Sequence, residues 1–132
     1  MERVKKSKKS TVNKKKRDTV VGIIAIQATF NNTIVSISDS QGNVIAWSSA
    51  GKMGFKGSKK STPYAAQVAT NDAVEKAKEY GLQTAKVKLF GPGVGREASL
   101  RVLLGSNIAI TRIEDMTYHP HNGCRAAKRR RN

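Results

Sequence analysis

The sequence predicts one α/β domain with a mixed five-stranded sheet and two helices, in the order β-β-β-α-β-α-β. Five apolar or alternating segments rich in β-branched residues lie between clusters of turn-forming residues. Two further segments carry apolar residues at spacings of three and four, which is the helical period. The length of 132 residues suits a single domain, and 38% hydrophobic residues suffice for one modest core.

The first three elements are predicted strands at residues 19–29, 33–38 and 44–49. The first is apolar on both faces, which is typical of a central strand. The linkers at 30–32 and 39–43 are short and rich in Asn, Asp, Ser and Gly, which favour turns. These three strands are therefore expected to form an antiparallel meander.

A helix is expected to follow a glycine- and lysine-rich loop at residues 50–61. Thr62 is a suitable N-cap, Pro63 suits the first helical position, and the pattern continues to about Tyr80. The buried stripe of this helix is mostly alanine, so the helix can pack close to a sheet. The remaining predicted elements are, in order, a half-buried strand at 84–90, a helix at about 95–104 and a strand at 108–114.

The positive charge is concentrated at the two ends of the chain. There are 25 Lys and Arg residues against 9 Asp and Glu, a net charge of +16. Residues 1–17 hold nine basic residues and one acid, residues 125–132 hold five basic residues and no acid, and the middle is nearly neutral. We therefore predict a basic N-terminal arm (1–17), a globular domain (18–118) and a basic C-terminal tail (119–132), with the arms neutralising nucleic-acid phosphates.

The arms have other interpretations. A run of charge is often merely solvated, and the N-terminal run also fits a targeting presequence or a nuclear-localisation pattern. The basic character of both ends favours nucleic acid. No stretch of 18 apolar residues occurs, so the sequence predicts no membrane span.

The segment Gly91–Arg96 (GPGVGR) is a glycine-rich turn between a predicted strand and a predicted helix. It lacks the Gly-Lys-Ser/Thr ending of a nucleotide-hydrolase loop, and its spacing differs from the dinucleotide fingerprint. Two interpretations stay open. The glycines satisfy a tight turn, or their backbone amides hold a phosphate together with Arg96.

The sequence predicts no metal site, no cofactor and no catalysis. His119, His121 and Cys124 offer three ligands where structural zinc takes four. Glu114 and Asp115 are the only adjacent acids, and a metal-dependent nuclease needs several converging carboxylates. A small basic nuclease and a free nucleic-acid chaperone remain the rival functions. The aromatic residues are scattered, and each favours a core or loop-anchor role; they are Trp47, Phe55, Tyr64 and Tyr118. Phe55 is the exception that could stack on a base, because it lies in a lysine-rich loop.

Five short motifs occur in a fixed order: FNNTIV at 30–35, WSSAG with GFKG at 47–57, TPYAAQ at 62–67, GPGVGR at 91–96 and HPHNGCR at 119–125. Together they resemble the bacterial and organellar members of the uS11 family of small-subunit ribosomal proteins, over about residues 19–131. Ala126 and Ala127 stand where the family usually has two prolines, and the lysine-rich N-terminal arm aligns poorly.

The resemblance implies a ribonuclease-H-like topology without its active site, and a structural role rather than an enzymatic one. Family members bind and bridge rRNA helices on the platform of the small subunit. They form part of the cleft that holds the Shine–Dalgarno duplex and the exiting mRNA. Their neighbours are the small-subunit proteins numbered seven and eighteen, with initiation factor three nearby. The implied location is the ribosome of a bacterial cytoplasm or of an organelle (plastid or mitochondrion).

The expected rRNA-binding residues fall in four segments. The hairpin tip at Asn31 and Asn32 is expected to reach sugars or base edges. The lysine-rich loop (50–61) and the glycine-rich turn (91–96) are expected to hold phosphates, and the tail is expected to thread between rRNA helices. The candidates are Asn31 and Asn32; Lys52, Phe55, Lys56, Lys59 and Lys60; Gly91, Gly93, Gly95, Arg96 and Arg101; and His119, His121, Asn122, Arg125, Lys128, Arg129, Arg130 and Arg131.

Overall fold

The computed structural model describes residues 20–131, so the predicted N-terminal arm lies outside the described residues. All five predicted strands and both predicted helices are confirmed in type and order. A short 3-10 helix at Gly57–Ser61 is an addition. The elements are β1 (Val21–Ala28), β2 (Thr33–Asp39), β3 (Val44–Ser49), α1 (Pro63–Lys78), β4 (Thr84–Phe90), α2 (Gly95–Leu104) and β5 (Ala109–Asp115).

The five strands form one mixed sheet in the order β3-β2-β1-β4-β5. β1 pairs antiparallel with β2, and β2 with β3, which confirms the predicted meander. β1 pairs parallel with β4, and β4 with β5. The first strand is therefore central, as its apolar sequence predicts.

The core lies between one face of this sheet and the two helices. Ile24, Ile26 and Ile37 are fully buried there, together with Leu103 of α2. β4 alternates as predicted, with Ala85, Val87 and Leu89 buried and lysines between them. The second face of β1 is less buried than its apolar sequence suggests, and Val21 there is 51% exposed.

Helix α1 packs through the predicted alanine stripe. Ala66, Ala69, Ala73 and Ala77 are all fully buried. Thr62 caps the helix as predicted, because its hydroxyl oxygen accepts a hydrogen bond from the Ala65 amide. The helix ends two residues before the predicted Tyr80, since the amides that follow Lys78 bond in tighter turns. None of the helices within residues 20–131 is long and apolar enough to cross a membrane.

The strand directions bring four connections to one edge of the sheet. β1, β3, β4 and β5 all run the same way, since β1 and β3 are both antiparallel to β2. Their last residues are therefore at the same edge, which we call the carboxyl edge. It comprises the hairpin tip (29–32), the lysine loop (50–61), the glycine turn (91–96) and the residues from 116 onward that lead into the tail (119–132).

Candidate nucleic-acid interface

Short backbone contacts fasten three of the four segments of the carboxyl edge to the ends of neighbouring strands. The amide of Gly93 donates to the carbonyl of Ala28 at 2.9 Å. The Ala50 amide donates to the Thr33 carbonyl at 3.1 Å, and the Met116 amide to the Leu89 carbonyl at 2.7 Å. The glycine turn and the lysine loop are thus each bonded to a residue that flanks the hairpin tip, and the tail starts beside the end of β4.

The hairpin tip is closed by the side chain of Thr29. Its hydroxyl accepts hydrogen bonds from the amides of Asn31 (3.4 Å) and Asn32 (3.1 Å). The Asn32 side-chain oxygen accepts from the Thr33 amide at 2.8 Å, so half of this carboxamide is already engaged. Asn31 is the exposed side chain of the pair. The tip therefore presents Asn31 outward and uses Asn32 to fix the turn.

The glycine turn is pressed against the end of β1. Gly91 adopts a φ of +88°, and a β-carbon there would collide with the Ala28 carbonyl oxygen. A β-carbon on Gly95 would collide with the Thr33 hydroxyl and lie 3.0 Å from the Ala66 β-carbon. Gly93 and Gly95 are buried. This geometry supports the tight-turn interpretation of the glycines, because close packing requires them and the Gly93 amide is already paired.

Arg96 ties the glycine turn to the end of β5. Its Nη2 donates to the Asp115 carboxylate at 2.6 Å, and its Nη1 to the carbonyl of Gly91 at 3.2 Å and the hydroxyl of Thr117 at 3.4 Å. The Thr117 hydroxyl and then Arg96 lower the pKa of Asp115 to about 2. The side chain of Arg96 stays 28% exposed, and guanidinium carries five N–H donors. Arg96 therefore orients the start of the tail while keeping part of its charge at the surface.

Lys52 is turned away from the rest of the lysine loop. Its ammonium lies 4.5 Å from the centre of the Trp47 ring and donates to the Trp47 carbonyl at 3.4 Å. The neighbouring amino group of Lys76 lowers the pKa of Lys52. Lys76 in turn pairs with Asp72 at 2.8 Å. Lys56 and Lys59 are exposed at the carboxyl edge, as Lys52 is, and Lys60 is half-buried.

Two aromatic residues meet beside these lysines. Phe55 and Tyr64 pack edge to face, with ring centres 5.9 Å apart and planes at 80°. Tyr64 is 66% exposed, so it does not belong to the core, and its contact with Phe55 agrees with the alternative expectation that it anchors a loop. Trp47 and Tyr118 are half exposed and largely exposed, so neither of them belongs to the core.

The other predicted binding residues lie further out. Arg101 is exposed on α2, about one and a half turns beyond the end of the glycine turn, so it lies outside the carboxyl edge. Every tail residue from 118 to 131 is exposed, including His119, His121 and the five basic residues. Asn122 and Gly123 both have positive φ, as a turn requires. Within residues 20–131, no group of three His, Cys, Asp or Glu side chains is arranged to hold a metal ion.

Comparison with known protein sequences identifies the family of this chain. A sequence model of the family described as ribosomal protein S11 matches residues 22–131. Proteins named small ribosomal subunit protein uS11 from Methylobacterium radiotolerans, Methylorubrum populi and Rhodopseudomonas palustris are each 55% identical over 118 residues. Those alignments cover 89% of this chain and 92% of each relative. The chain therefore belongs to the ribosomal protein S11 family of the small ribosomal subunit.

Proposed function

We propose that this chain is a structural constituent of the small ribosomal subunit that binds and bridges rRNA helices through its carboxyl edge. The charge distribution at that edge carries the proposal. Its segments and the tail that leaves it contain ten Lys and Arg residues and no Asp or Glu. Asp115, the acid that precedes the tail, is paired with Arg96. A surface of one charge sign suits a polyanion.

Each segment has its own part in the proposed binding. Lys56 and Lys59 are exposed and free to meet phosphates, while Asn31 can reach a sugar or a base edge. The buried glycines act indirectly, by letting the turn lie close to β1. The exposed tail supplies charge that can enter a crevice between two helices. Contacts of this kind read the shape and backbone of folded RNA.

We infer the place of the protein in the ribosome from its family. The proposed site is the platform, in the cleft of the Shine–Dalgarno duplex and the exiting mRNA. The small-subunit proteins numbered seven and eighteen are the proposed neighbours, and initiation factor three is proposed to bind close by. The named relatives are bacterial, and we propose a bacterial or organellar ribosome as the location.

We propose that the chain has no enzymatic activity. The rival nuclease needs carboxylates that converge on one point. Asp115 is bound by Arg96 at 2.6 Å, and its neighbour Glu114 is bound by Arg112 at 2.8 Å. These two acids are therefore engaged in separate ion pairs. Metal-dependent RNA cleavage that is lost on mutating Asp39 or Asp115 would refute the proposal.

Co-sedimentation with small subunits in high-salt sucrose gradients tests the function. We expect the full chain to stay with the subunit, whereas a free chaperone would be released. The double variant Lys56→Ala/Lys59→Ala should incorporate less well than the control Lys78→Ala/Lys86→Ala, which removes equal charge away from the carboxyl edge. Equal incorporation of the two double variants would contradict binding through this edge.

A further inference from the structure

We propose that Tyr64, supported by Phe55, is a stacking platform for one unpaired nucleobase of the bound RNA. The inference rests on the proposed function and deepens it, since it assigns a ligand class to a residue that charge patterns do not reveal. The ligand is a base that is not in a helix, because stacking on a side chain requires an accessible ring face.

The geometry of the aromatic pair leaves a ring face open. In an edge-to-face pair, the edge of one ring meets a face of the other, and the 80° angle between Phe55 and Tyr64 is of this kind. Phe55 therefore covers at most one face of the Tyr64 ring. Tyr64 is 66% exposed while Phe55 is half-buried. The open face of Tyr64 is thus available, and Phe55 supports the ring from one side.

The backbone that carries both rings is fixed by hydrogen bonds before any ligand binds. The Phe55 amide donates to the Ala50 carbonyl at 3.2 Å. Tyr64 lies in the first turn of α1, which Thr62 caps, and the Thr62 hydroxyl also donates to the Lys59 carbonyl at 2.7 Å. A preorganised ring loses little conformational entropy on binding, which favours its use as a platform.

The surroundings of Tyr64 suit a nucleotide rather than a peptide. Lys56 precedes the short 3-10 helix, Lys59 lies within it, and both are exposed in the loop that fastens to the start of α1. Phosphates on either side of a stacked base can therefore meet ammonium groups. The Trp47 ring differs, because the ammonium of Lys52 already lies over it. Of these two rings, Tyr64 is the more exposed, at 66% against 50%, and it follows the segment that carries Lys56 and Lys59.

A stacking contact and a phosphate contact leave different signatures. Losing a stacked base weakens binding by at least about fivefold, since stacking contributes roughly 1–3 kcal/mol per base. It leaves the salt dependence unchanged, because no counterion is released by an uncharged contact. Losing the stacking contact also weakens the binding of single-stranded RNA but not of a perfect duplex, because the bases of a duplex are already stacked on one another.

The test measures affinities of the full chain for a short oligouridine and for an RNA duplex of equal length, over a range of salt. We expect Tyr64→Leu to weaken binding of the oligouridine at least about fivefold, with the same salt slope and unchanged duplex binding. Tyr64→Phe keeps the ring and should bind like the unaltered protein. Leu104→Ala removes a similarly exposed apolar side chain at the other end of the domain and serves as the control.

Photocrosslinking provides a second measurement that needs no variant. An oligouridine carrying 5-iodouridine should crosslink to the peptide that contains Tyr64. Unchanged affinity of Tyr64→Leu, or crosslinks confined to other aromatic residues, overturns the stacking platform while the proposed function stands. Absence of salt-dependent RNA binding by the unaltered protein overturns the proposed function and this inference together.

Discussion

Replacing Gly95 with alanine tests how closely the glycine turn is packed. Gly95 is the first residue of α2, where alanine is ordinarily the better helix former. Here the added β-carbon would collide with the Thr33 hydroxyl and lie 3.0 Å from the Ala66 β-carbon. Thr33 and Ala66 are both buried, so neither can move aside into solvent. We therefore expect Gly95→Ala to destabilise the domain.

The size of the effect follows from two opposing terms. Overpacking a well-packed core costs roughly 1–3 kcal/mol. The higher helix propensity of alanine offsets up to about 1 kcal/mol of this cost, and less in the first turn of a helix. The expected net loss is about 1–2 kcal/mol, and each kcal/mol lowers the melting temperature of a domain of this size by about 4–8 °C.

Thermal unfolding followed by circular dichroism is the assay. Gly105→Ala is the matched control, because it alters the glycine at the other end of α2, where a β-carbon would meet its nearest neighbours at 3.6 Å. Thr33→Ala should rescue Gly95→Ala by making room, with a coupling of about 1 kcal/mol in the double-variant cycle. Equal melting temperatures for Gly95→Ala and Gly105→Ala, or additive effects of the two substitutions at 33 and 95, would refute the packing argument.

Four further predictions concern charge. Affinity for RNA should fall by roughly 0.7–0.9 log units per log unit of salt for each phosphate neutralised, and a flat salt profile in binding titrations would reject charge-driven binding. Removing residues 125–132 should leave the melting temperature within a few degrees, because the described part of that segment is exposed, yet impair subunit incorporation. The folded pKa of Asp115 is lowered from 3.8 to about 2, so its contribution to stability is present above about pH 4 and is lost as the pH falls towards 2. Asp115→Asn should make the melting temperature less dependent on pH over that interval. Arg96→Ala should impair incorporation of the protein into the small subunit more than Arg112→Ala does.

The sequence predicts the elements well because their signals are local. The alternation of Ala85, Val87 and Leu89 with lysines specifies a half-buried strand. The cap at Thr62 specifies the start of α1, and the alanine stripe specifies its end to within two residues. A central position for the first strand follows from its apolar run, although the partial exposure of its second face depends on which side the helices cover.

The contacts that define the candidate site are not local, and the sequence does not predict them. Arg96 and Asp115 are 19 positions apart and come together because β4 and β5 end at the same edge. Charge alone suggests that Lys52 binds phosphate as Lys56 does, yet the fold places it over Trp47. The exposure of Tyr64 depends on the loop that carries Phe55. In each case the sequence identifies the side chain but does not identify the residue that it contacts in the fold.

Thr33 explains why the segments of the carboxyl edge behave as one surface. Its amide is held by the Asn32 side chain, its carbonyl accepts from Ala50, and its hydroxyl faces Gly95. The first residue of β2 thus contacts the hairpin tip, the lysine loop and the glycine turn. Since Thr33 is 1% exposed, it cannot itself meet RNA. A change at this position should therefore alter binding at several segments together, whereas a change at Lys56 or Asn31 should alter one contact. That difference separates the groups that position the surface from the groups that bind.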